Sequence, residues 1–313
     1  MQILRAIMIG DVVGDPGLQV LDHRLPHLIK ELSADFVIVN GENAASGFGL
    51  TGPVLEKLFA AGADVVTGGN HIWEKREFWP VLDEEKRVLR PMNYPSGKLP
   101  AGILPAGTPR RDSEDAKPCS ASPGRGWIKL EKPSPHDGTP VIWLVVNLQG
   151  REFMTPLDCP FRTFDAFEAG LGDIITRIEP LLDTEGKLPE HLKDRLVILV
   201  DFHAESAREK ESLAYYLDGR VSAVAGTHTH VQTADERILP KGTAYITDLG
   251  MCGTLDGIIG MDPKICLDRA RNQVLYRMEV AAPETGGRTA VQGIIVEIDE
   301  ESGKAVSIKR LSV

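Results

Sequence analysis

Cysteine is scarce in this sequence of 313 residues, and the four that occur show no CxxC spacing. A disulfide framework is therefore not expected in a chain of this length. The thiols are instead predicted to stay reduced, which is typical of a cytoplasmic protein. The cysteines are Cys119, Cys159, Cys252 and Cys266.

Long apolar runs are also missing. No stretch approaches the ~20 consecutive apolar residues that a membrane span needs. The first residues pass directly into a strand-like pattern, without the basic region and the long apolar run of a signal peptide. From these two absences we expect no association with a membrane.

Positive charge is in deficit, because 35 lysines and arginines stand against 45 aspartates and glutamates, a formal net charge of -10. This balance argues against a broad surface for duplex DNA, since such surfaces neutralise phosphates with lysine and arginine. It permits a small anionic substrate if bound metal ions supply the local positive charge.

Strand and helix patterns alternate along most of the chain. Apolar runs at residues 3–9, 35–40 and 64–67 are separated by helical patterns. This β-α-β-α-β order predicts a parallel sheet with right-handed crossovers. More strands are predicted at residues 126–130, 140–147, 196–200, 244–247 and from residue 221. Alternating runs at 273–280, 291–298 and 305–311 predict antiparallel strands.

Helices are predicted at residues 18–32, 51–61, 73–89, 164–182 and 206–217. Pro26 lies inside the first of these, so a kink or a short break is expected there. Residues 96–139 are rich in proline, glycine, serine and charge. This stretch is predicted to be an irregular surface insertion in a single domain that spans residues 1–313.

Polar residues stand just past the carboxyl ends of five predicted strands. Because open α/β sheets bind their ligands at this edge, we expect these side chains to share one site. Carboxylate, amide and imidazole groups together suit iron, manganese or zinc. The residues are Asp11, Glu42, Asn43, Asn70, His71, His203, His228 and His230.

His228 and His230 follow the predicted strand that starts at Val221. In an extended backbone, residues i and i+2 point to the same side, so both rings are expected to face one point. Two imidazoles aimed at one point indicate a metal. Taken alone, the pair is equally compatible with two solvated loop histidines.

Eight such residues are more than one metal ion needs. Two ions that share a bridging carboxylate would use seven residues and leave one for proton transfer. A pair of ions about 3.5–4 Å apart is suited to displacement at phosphorus. Each residue taken singly also has a structural explanation, such as a helix cap for Asp11 or a turn for Asn70.

The motifs that carry these residues resemble those of a known superfamily. Gly10-Asp11, Gly41-Glu42-Asn43, Gly69-Asn70-His71, His203 and Gly226-Thr227-His228-Thr229-His230 are similar, in order, to the motif set of calcineurin-like metallophosphoesterases. The surrounding residues, DVVG at 11–14 and NGENAA at 40–45 among them, resemble the bacterial YmdB-like phosphodiesterases over roughly residues 3–298. The resemblance implies a layered α/β sandwich of metallophosphoesterase type, with mixed sheets flanked by helices.

The same resemblance implies two metal ions per chain, iron or manganese first and zinc as an alternative. Asp11, Glu42, Asn43 and His230 would hold metal 1. Glu42, Asn70, His203 and His228 would hold metal 2, with Glu42 bridging. His71 would be the catalytic residue that protonates the leaving oxygen, and a metal-bound hydroxide would be the nucleophile.

Two positions depart from the wider superfamily. Val13 stands where the first motif usually has histidine, and Glu42 stands where the second motif usually has aspartate. The YmdB-like branch shares both changes and uses the neighbouring amide, here Asn43, in place of the missing imidazole. An amide oxygen donates less charge than imidazole, so metal 1 is expected to be the more electrophilic ion.

The implied activity is hydrolysis of 2',3'-cyclic nucleotides or related phosphodiesters, with RNA as a further candidate substrate. Two alternatives stay open. One is a metal-dependent regulatory protein that binds nucleotide or RNA with little turnover, and the other is a phosphomonoesterase. A homo-oligomer is compatible with the sequence, and no substrate-binding residue is assigned.

Overall fold

The computed structural model describes residues 1–95, 122–170, 195–283 and 287–313. Most of the irregular stretch predicted at 96–139 lies outside these ranges, as does the second half of the helix predicted at 164–182. Within the described residues, no helix has the length and apolar character needed to cross a lipid bilayer.

Thirteen strands and six α-helices form within the described residues. The strands are β1 Ile3–Ile9, β2 Asp11–Val12, β3 Phe36–Asn40, β4 Val65–Thr67, β5 Trp127–Pro133, β6 Pro140–Gln149, β7 Leu196–His203, β8 Ala223–Thr227, β9 Arg237–Ile238, β10 Ala244–Ile246, β11 Met251–Thr254, β12 Thr289–Asp299 and β13 Ala305–Ser312. The helices are α1 Gly14–Leu32, α2 Gly52–Ala60, α3 Trp79–Glu84, α4 Pro160–Ala169, α5 Ala207–Leu217 and α6 Pro263–Asn272. Short 3-10 turns lie at Asn70–Trp73 and Arg76–Phe78.

The first sheet has seven strands in the order β2-β11-β12-β1-β3-β4, with β13 also paired to β12. β1, β3 and β4 are parallel, as the β-α-β-α-β order of the sequence predicts. β12 runs antiparallel to β1 along the whole length of β1. One of the last strands of the chain therefore completes the centre of a sheet that the first strand begins.

The second sheet has six strands in the order β5-β6-β7-β8-β10-β9. β6, β7, β8 and β10 are parallel, and β5 and β9 close the two edges in antiparallel pairings. β5 lies where the sequence predicts a strand at 126–130. The carboxyl ends of β7 and β8 are therefore neighbours at one edge of this sheet.

The two sheets pack face to face, and helices cover the outer face of each. Along β1 the side chains alternate, so that Met8 enters the layer between the sheets while Ile7 faces α1 and α2. Between the sheets, Trp143 of β6 stacks on Phe36 of β3 with ring centroids 4.6 Å apart. α4 and α5 cover the outer face of the second sheet. The predicted layered α/β sandwich with mixed sheets flanked by helices is confirmed.

The sequence predicts a kink or a short break at Pro26, and the break does not occur, because α1 continues through the proline from Gly14 to Leu32. Leu21 and Leu25 before Pro26, and Leu28 after it, are buried against the first sheet. Packing on both sides of the proline outweighs the loss of one backbone hydrogen bond.

The long helix predicted at 73–89 is also wrong. In its place, two 3-10 turns precede the short helix α3, which begins with Pro80 in its first turn. Val88 and Leu89 are extended and form bridges to Val66 and Arg125. Their apolar side chains are buried by neighbouring strands, so the apolar spacing did not come from a helical face.

The strand predicted at 273–280 is wrong as well. This segment follows α6 and lies outside every strand, with Val280 alone forming a bridge to Met261. The signals that start α6 were present in the sequence but not used: Asp262 accepts a hydrogen bond from the Ile265 amide, and Pro263 occupies the first helical position.

Candidate metal centre

All eight predicted site residues lie at the edge where strands of both sheets end. Asp11 follows β1, Glu42 and Asn43 follow β3, and the turn after β4 carries Asn70 and His71. From the second sheet, His203 ends β7, and His228 and His230 follow β8. The site therefore spans the boundary between the two sheets and takes ligands from each.

One group of side chains surrounds His203. Its Nε2 lies 3.1 Å from Glu42 Oε1, 3.0 Å from Asn70 Oδ1 and 3.0 Å from His228 Nδ1. Glu42, His203 and His228 each place one ligand atom within 4.8 Å of the others. This is the set that the resemblance assigns to metal 2, and its four donor atoms converge.

A second group surrounds Asn43. Its Nδ2 lies 3.1 Å from Glu42 Oε1 and 3.1 Å from His230 Nε2, and Asp11 Oδ1 is 3.8 Å from the same His230 nitrogen. This is the set assigned to metal 1. Glu42 Oε1 contacts both groups, which is the position that a bridging carboxylate requires.

Two oxygen atoms support the fit of this site to cations. Asp11 Oδ1 and Asn43 Oδ1 are buried and have no hydrogen-bond partner among the described residues. A buried acceptor without a partner costs free energy, and a bound cation would remove that cost. The mixed oxygen and nitrogen donors also suit iron, manganese or zinc better than calcium or magnesium. The residues present therefore fit a metal centre.

Burial and neighbouring charges shift the pKa values of the Asp11 and Glu42 carboxyl groups in opposite directions. Burial raises the pKa of Asp11 to about 6, although His230 and His203 act against it. Burial also acts to raise the pKa of Glu42, but the positive charge on His203 outweighs burial and holds that pKa well below its usual range. Glu42 is thus an anion held in the interior by its cationic neighbour.

The pKa values of His203 and His228 also shift in opposite directions. Burial acts to lower the pKa of His203, but the adjacent Glu42 carboxylate outweighs burial and raises it to about 9. Burial and the positive charge on His203 lower the pKa of His228 to about 3. At neutral pH the His228 ring is therefore free to act as a ligand, whereas His203 carries a proton that a metal ion would displace.

Asp201 orients His203 through Thr227. The Thr227 hydroxyl lies 3.0 Å from His203 Nδ1 and donates to Asp201 Oδ1 at 2.7 Å. The other Asp201 oxygen accepts hydrogen bonds from Asn40 and Thr67 at the ends of β3 and β4. The buried Asp201 therefore fixes the ring that faces Glu42 and ties the two sheets together beneath the site.

The expectation that His228 and His230 lie on an extended backbone is wrong. Both residues have positive φ angles, 98° and 61°. Positive φ is strained for residues with a side chain and occurs where the surrounding structure enforces it. Asp248 accepts hydrogen bonds from the amide and hydroxyl of Thr229, and His230 Nδ1 lies 2.9 Å from the Ile259 carbonyl. The two rings reach the site through a tight turn.

His71 lies beside the two groups without joining either. Its backbone N–H donates to Glu42 Oε2 at 3.1 Å, while its ring Nδ1 is 3.4 Å from Glu74 Oε1. The ring is partly exposed to solvent and packs edge-on against Phe48, with centroids 5.0 Å apart. A protonatable ring that borders the site and has access to solvent fits the proton-donor role predicted for it.

Gly69 explains how the backbone before His71 approaches so closely. A Cβ atom at this position would lie 2.2 Å from Glu42 Oε2 and 2.4 Å from His203 Nε2. Any side chain there would occupy space that the two ligands need. The glycine belongs to the site as much as the polar residues that follow it.

Two residues of the site escaped prediction. Glu205 Oε2 lies 3.1 Å from His228 Nε2, the nitrogen that faces away from His203, and so fixes the orientation of that ring. Lys210 is buried on α5, with its Nζ 2.7 Å from Asp248 Oδ2. A carboxylate two residues after His203 was a signal for Glu205, but no pattern in the sequence distinguishes Lys210 from other helix lysines.

A cavity of about 740 Å³ opens over the metal centre. Its polar end contains Glu42, Asn43, His71, Glu205, His228, Thr229 and His230. The rest of its lining consists of Phe48, which packs on His71, and of residues from the segment that includes Met261 and α6. A ligand bound at the polar end would therefore contact this second wall.

A four-layered sandwich with such a centre at the seam of its two sheets is a protein of metallophosphoesterase type. Comparison with known families narrows this class, since the family model described as YmdB-like protein matches residues 7–107 and 116–311. The chain belongs to the YmdB-like family.

Its relatives agree with this assignment. A Bacillus subtilis (strain 168) protein named 2',3'-cyclic-nucleotide 2'-phosphodiesterase is 39% identical over 310 residues, which cover 99% of this chain and 97% of that protein. A Mycoplasma pneumoniae structure described as a novel phosphatase has a TM-score of 0.75 and 27% identity over 100% of this chain and 94% of its own.

A further solved structure, of a hypothetical protein from Thermus thermophilus, has a TM-score of 0.73 and 35% identity over 99% of both chains. The family and the named relatives confirm the prediction of an enzyme of the hydrolase class. The roles of the individual site residues stay predictions.

Proposed function

We propose that the chain is a phosphodiesterase with two metal ions that hydrolyses 2',3'-cyclic nucleotides or related phosphodiesters. The relative with the highest identity given above is named for this activity. The structural observation that carries the proposal is the position of Glu42 Oε1, 3.1 Å from both the Asn43 group and the His203 group. A carboxylate shared by two groups of ligands supports two ions at one centre.

Asp11, Asn43 and His230 would hold one ion, Asn70, His203 and His228 the other, and Glu42 both. Iron and manganese are the proposed metals, with zinc as the alternative, because both groups mix oxygen and nitrogen donors. When bound, the ions would supply positive charge for the phosphodiester and lower the pKa of water to about 7.

The chain's own residues would complete the reaction. Water adds to phosphorus and loses a proton to solvent, one phosphorus–oxygen bond to the ribose breaks, and the leaving oxygen takes the proton that the His71 ring donates and afterwards regains from solvent. Glu205 and Asp201 hold the rings of His228 and His203 in place. Gly69 keeps the space beside Glu42 free of a side chain. The product is a nucleoside monophosphate.

The test compares a 2',3'-cyclic nucleotide with a nucleoside monophosphate on protein loaded with manganese or with iron under anaerobic conditions. We expect the cyclic substrate to open, the monophosphate to persist, and elemental analysis to find about two ions per chain. The matched control is Glu42→Gln, which keeps the size of the side chain and removes its charge, and which should lose both metal and activity.

Other outcomes would favour the alternatives. Release of inorganic phosphate from the monophosphate would support a phosphomonoesterase. Tight binding of the cyclic nucleotide without hydrolysis by the metal-loaded protein would support a regulatory protein that binds nucleotide or RNA.

A further inference from the structure

The wall of the cavity beside the metal centre consists mainly of apolar side chains that have no role in the main cores. Phe48, Met261, Cys266 and Met278 pack in a small separate hydrophobic cluster beside the site. Leu275 stands at the rim with 83% of its surface exposed. Met261 is buried, but Phe48, Leu275 and Met278 keep apolar surface open to solvent, and such surface beside a polar centre indicates a place that a ligand covers.

Helix α6, which carries part of this wall, is not held in place by buried side chains of its own. Within the described part of the chain, α6 contributes no buried side chain. Its residues Cys266, Arg269 and Ala270 line the cavity. A ten-residue helix that faces a site and buries none of its own side chains is more consistent with ligand contact than with support of the core.

Two long polar side chains accompany the apolar wall. Arg269 is the only arginine or lysine among the described residues that line the cavity, and Gln273 follows it at the end of α6. Arg269 supplies donors, and Gln273 supplies both donors and an acceptor. The wall therefore combines flat apolar contact with hydrogen bonding at one edge.

We propose that this wall, formed by Phe48, Met261, Arg269, Leu275 and Met278, is the subsite for the nucleobase of the substrate. It rests on the proposed function, because the phosphodiester at the metal centre directs the rest of the substrate toward this side. Methionine thioethers and the Phe48 ring pack against the face of an aromatic base. Arg269 and Gln273 reach its polar edge. An alkyl ester would offer neither residue a hydrogen-bond partner, although one Gln273 donor already binds the Ala270 carbonyl.

The size of the cavity agrees with this ligand. About 740 Å³ is within the range of roughly 300–1,000 Å³ that small-molecule sites occupy. The subsite is open on one side, since Leu275 is exposed, so a base can enter without movement of the core. The wall contacts the face of the base more than its edge. Because all four bases have a similar face, differences in affinity among them should be modest.

The test measures equilibrium binding by titration calorimetry and does not depend on turnover. The ligands are a nucleoside 3'-monophosphate and ribose 3-phosphate, which carries the same phosphate and sugar without the base. We expect the nucleotide to bind intact, metal-loaded protein about tenfold or more tightly than the ribose phosphate. Equal affinities would overturn the proposal.

Variants locate the preference on the wall. The double variant Arg269→Ala/Leu275→Ala should reduce the ratio of the two affinities at least threefold, because the base loses its charged edge partner and one apolar contact while Phe48 and the methionines remain. Arg271→Ala/Leu267→Ala is the matched control, because both of its residues lie on α6, are exposed and do not line the cavity. It should keep the full ratio. A loss of the ratio in the control as well, or its retention in the first variant, would contradict the subsite.

Failure of the subsite and failure of the proposed function remain distinguishable. If metal-loaded protein prefers the nucleotide but hydrolyses no cyclic phosphodiester, the subsite stands and the catalytic proposal fails. If it hydrolyses 2',3'-cyclic phosphates of a nucleoside and of 1-O-methylribose with the same kcat/KM, and binds nucleotide and ribose phosphate equally, catalysis stands and the subsite fails.

Discussion

Lys210 Nζ lies 2.7 Å from Asp248 Oδ2, and both side chains are buried. The same carboxylate oxygen accepts hydrogen bonds from the amide and hydroxyl of Thr229. Thr229 stands between His228 and His230, so the ion pair anchors the strained turn that presents both rings. A lysine that touches neither substrate nor metal thereby positions two proposed ligands.

Replacing Lys210 with methionine should destabilise the protein. The change leaves Asp248 as a buried charge without its partner, which typically costs about 3–5 kcal/mol. Chemical denaturation would measure the loss, and the double variant Lys210→Met/Asp248→Asn should recover part of it because no unpaired charge remains. Arg208→Met on the same helix is the control, since its side chain is 80% exposed and should matter little. Equal losses in both single variants would contradict this role.

The proton-donor role of His71 can be separated from a structural role by the choice of leaving group. A ribose oxygen leaves poorly without a proton, whereas p-nitrophenolate hardly needs one. His71→Ala should therefore lower kcat for a 2',3'-cyclic nucleotide by about 10²–10⁴-fold and the rate for bis-p-nitrophenyl phosphate much less. Metal content should not change, because the ring belongs to neither group of ligands. If His71→Ala lowered the rates for the two substrates by the same factor, the proposed role of His71 as proton donor would be wrong.

Metal loading should release a proton at neutral pH. In protein stripped with a chelator, Glu42 raises the pKa of His203 to about 9, so this ring is protonated at pH 7. His228, with its pKa lowered to about 3, is already neutral. Binding of a metal to His203 must displace its proton, and apparent affinity should therefore rise with pH across the neutral range.

Titration calorimetry in two buffers with different heats of ionisation would count that proton. The observed heats should differ at pH 7 by at least one ionisation heat, because His203 releases one proton and metal-bound water adds to that release. Identical heats at pH 7 would show that His203 is neutral before the metal binds.

Gly226 at the end of β8 should not tolerate a side chain. A Cβ atom there would lie 1.8 Å from the Thr247 carbonyl oxygen, so neighbouring backbone must move. Overpacking of this kind costs about 1–3 kcal/mol or more, and Gly226→Ala should also weaken metal binding because His228 is two residues away. Gly52→Ala is the control, as a Cβ there meets nothing within 4 Å. Thermal melts and metal content would report both effects, and a melt unchanged by Gly226→Ala would refute the expectation.

The sequence predicts the membership of this site better than its geometry. Parallel strands of one sheet end at one edge, which brings together the polar residues after β1, β3 and β4 and, in the other sheet, those after β7 and β8; the packing of the two sheets then joins the two edges. The turn that carries His228 and His230 could not be predicted, because it is held by contacts of His228 with Asp11, of Thr229 with Asp248 and of His230 with Ile259, which other parts of the fold supply. Local patterns carry no record of such distant contacts.

The segment after Asp262 is a second case in which the local sequence pattern did not reveal the tertiary contacts. Alternation at 273–280 suggested a strand, yet a strand also needs a partner, and the sheet positions nearby are taken by β11 and β12. The alternation of apolar residues in the sequence did not distinguish a strand from an exposed segment whose apolar side chains line a cavity. The proposed nucleobase subsite would explain why those residues are apolar although they do not pair with a strand.

The pairing of β1 with β12 has a consequence for biosynthesis. Residues 3–9 leave the ribosome early, but their antiparallel partner, residues 293–299, follows almost a whole chain later. Until then one apolar edge of the nascent sheet stays open, and such an edge templates aggregation. The soluble yield of this protein should therefore depend on how well the cell shields that edge while translation finishes.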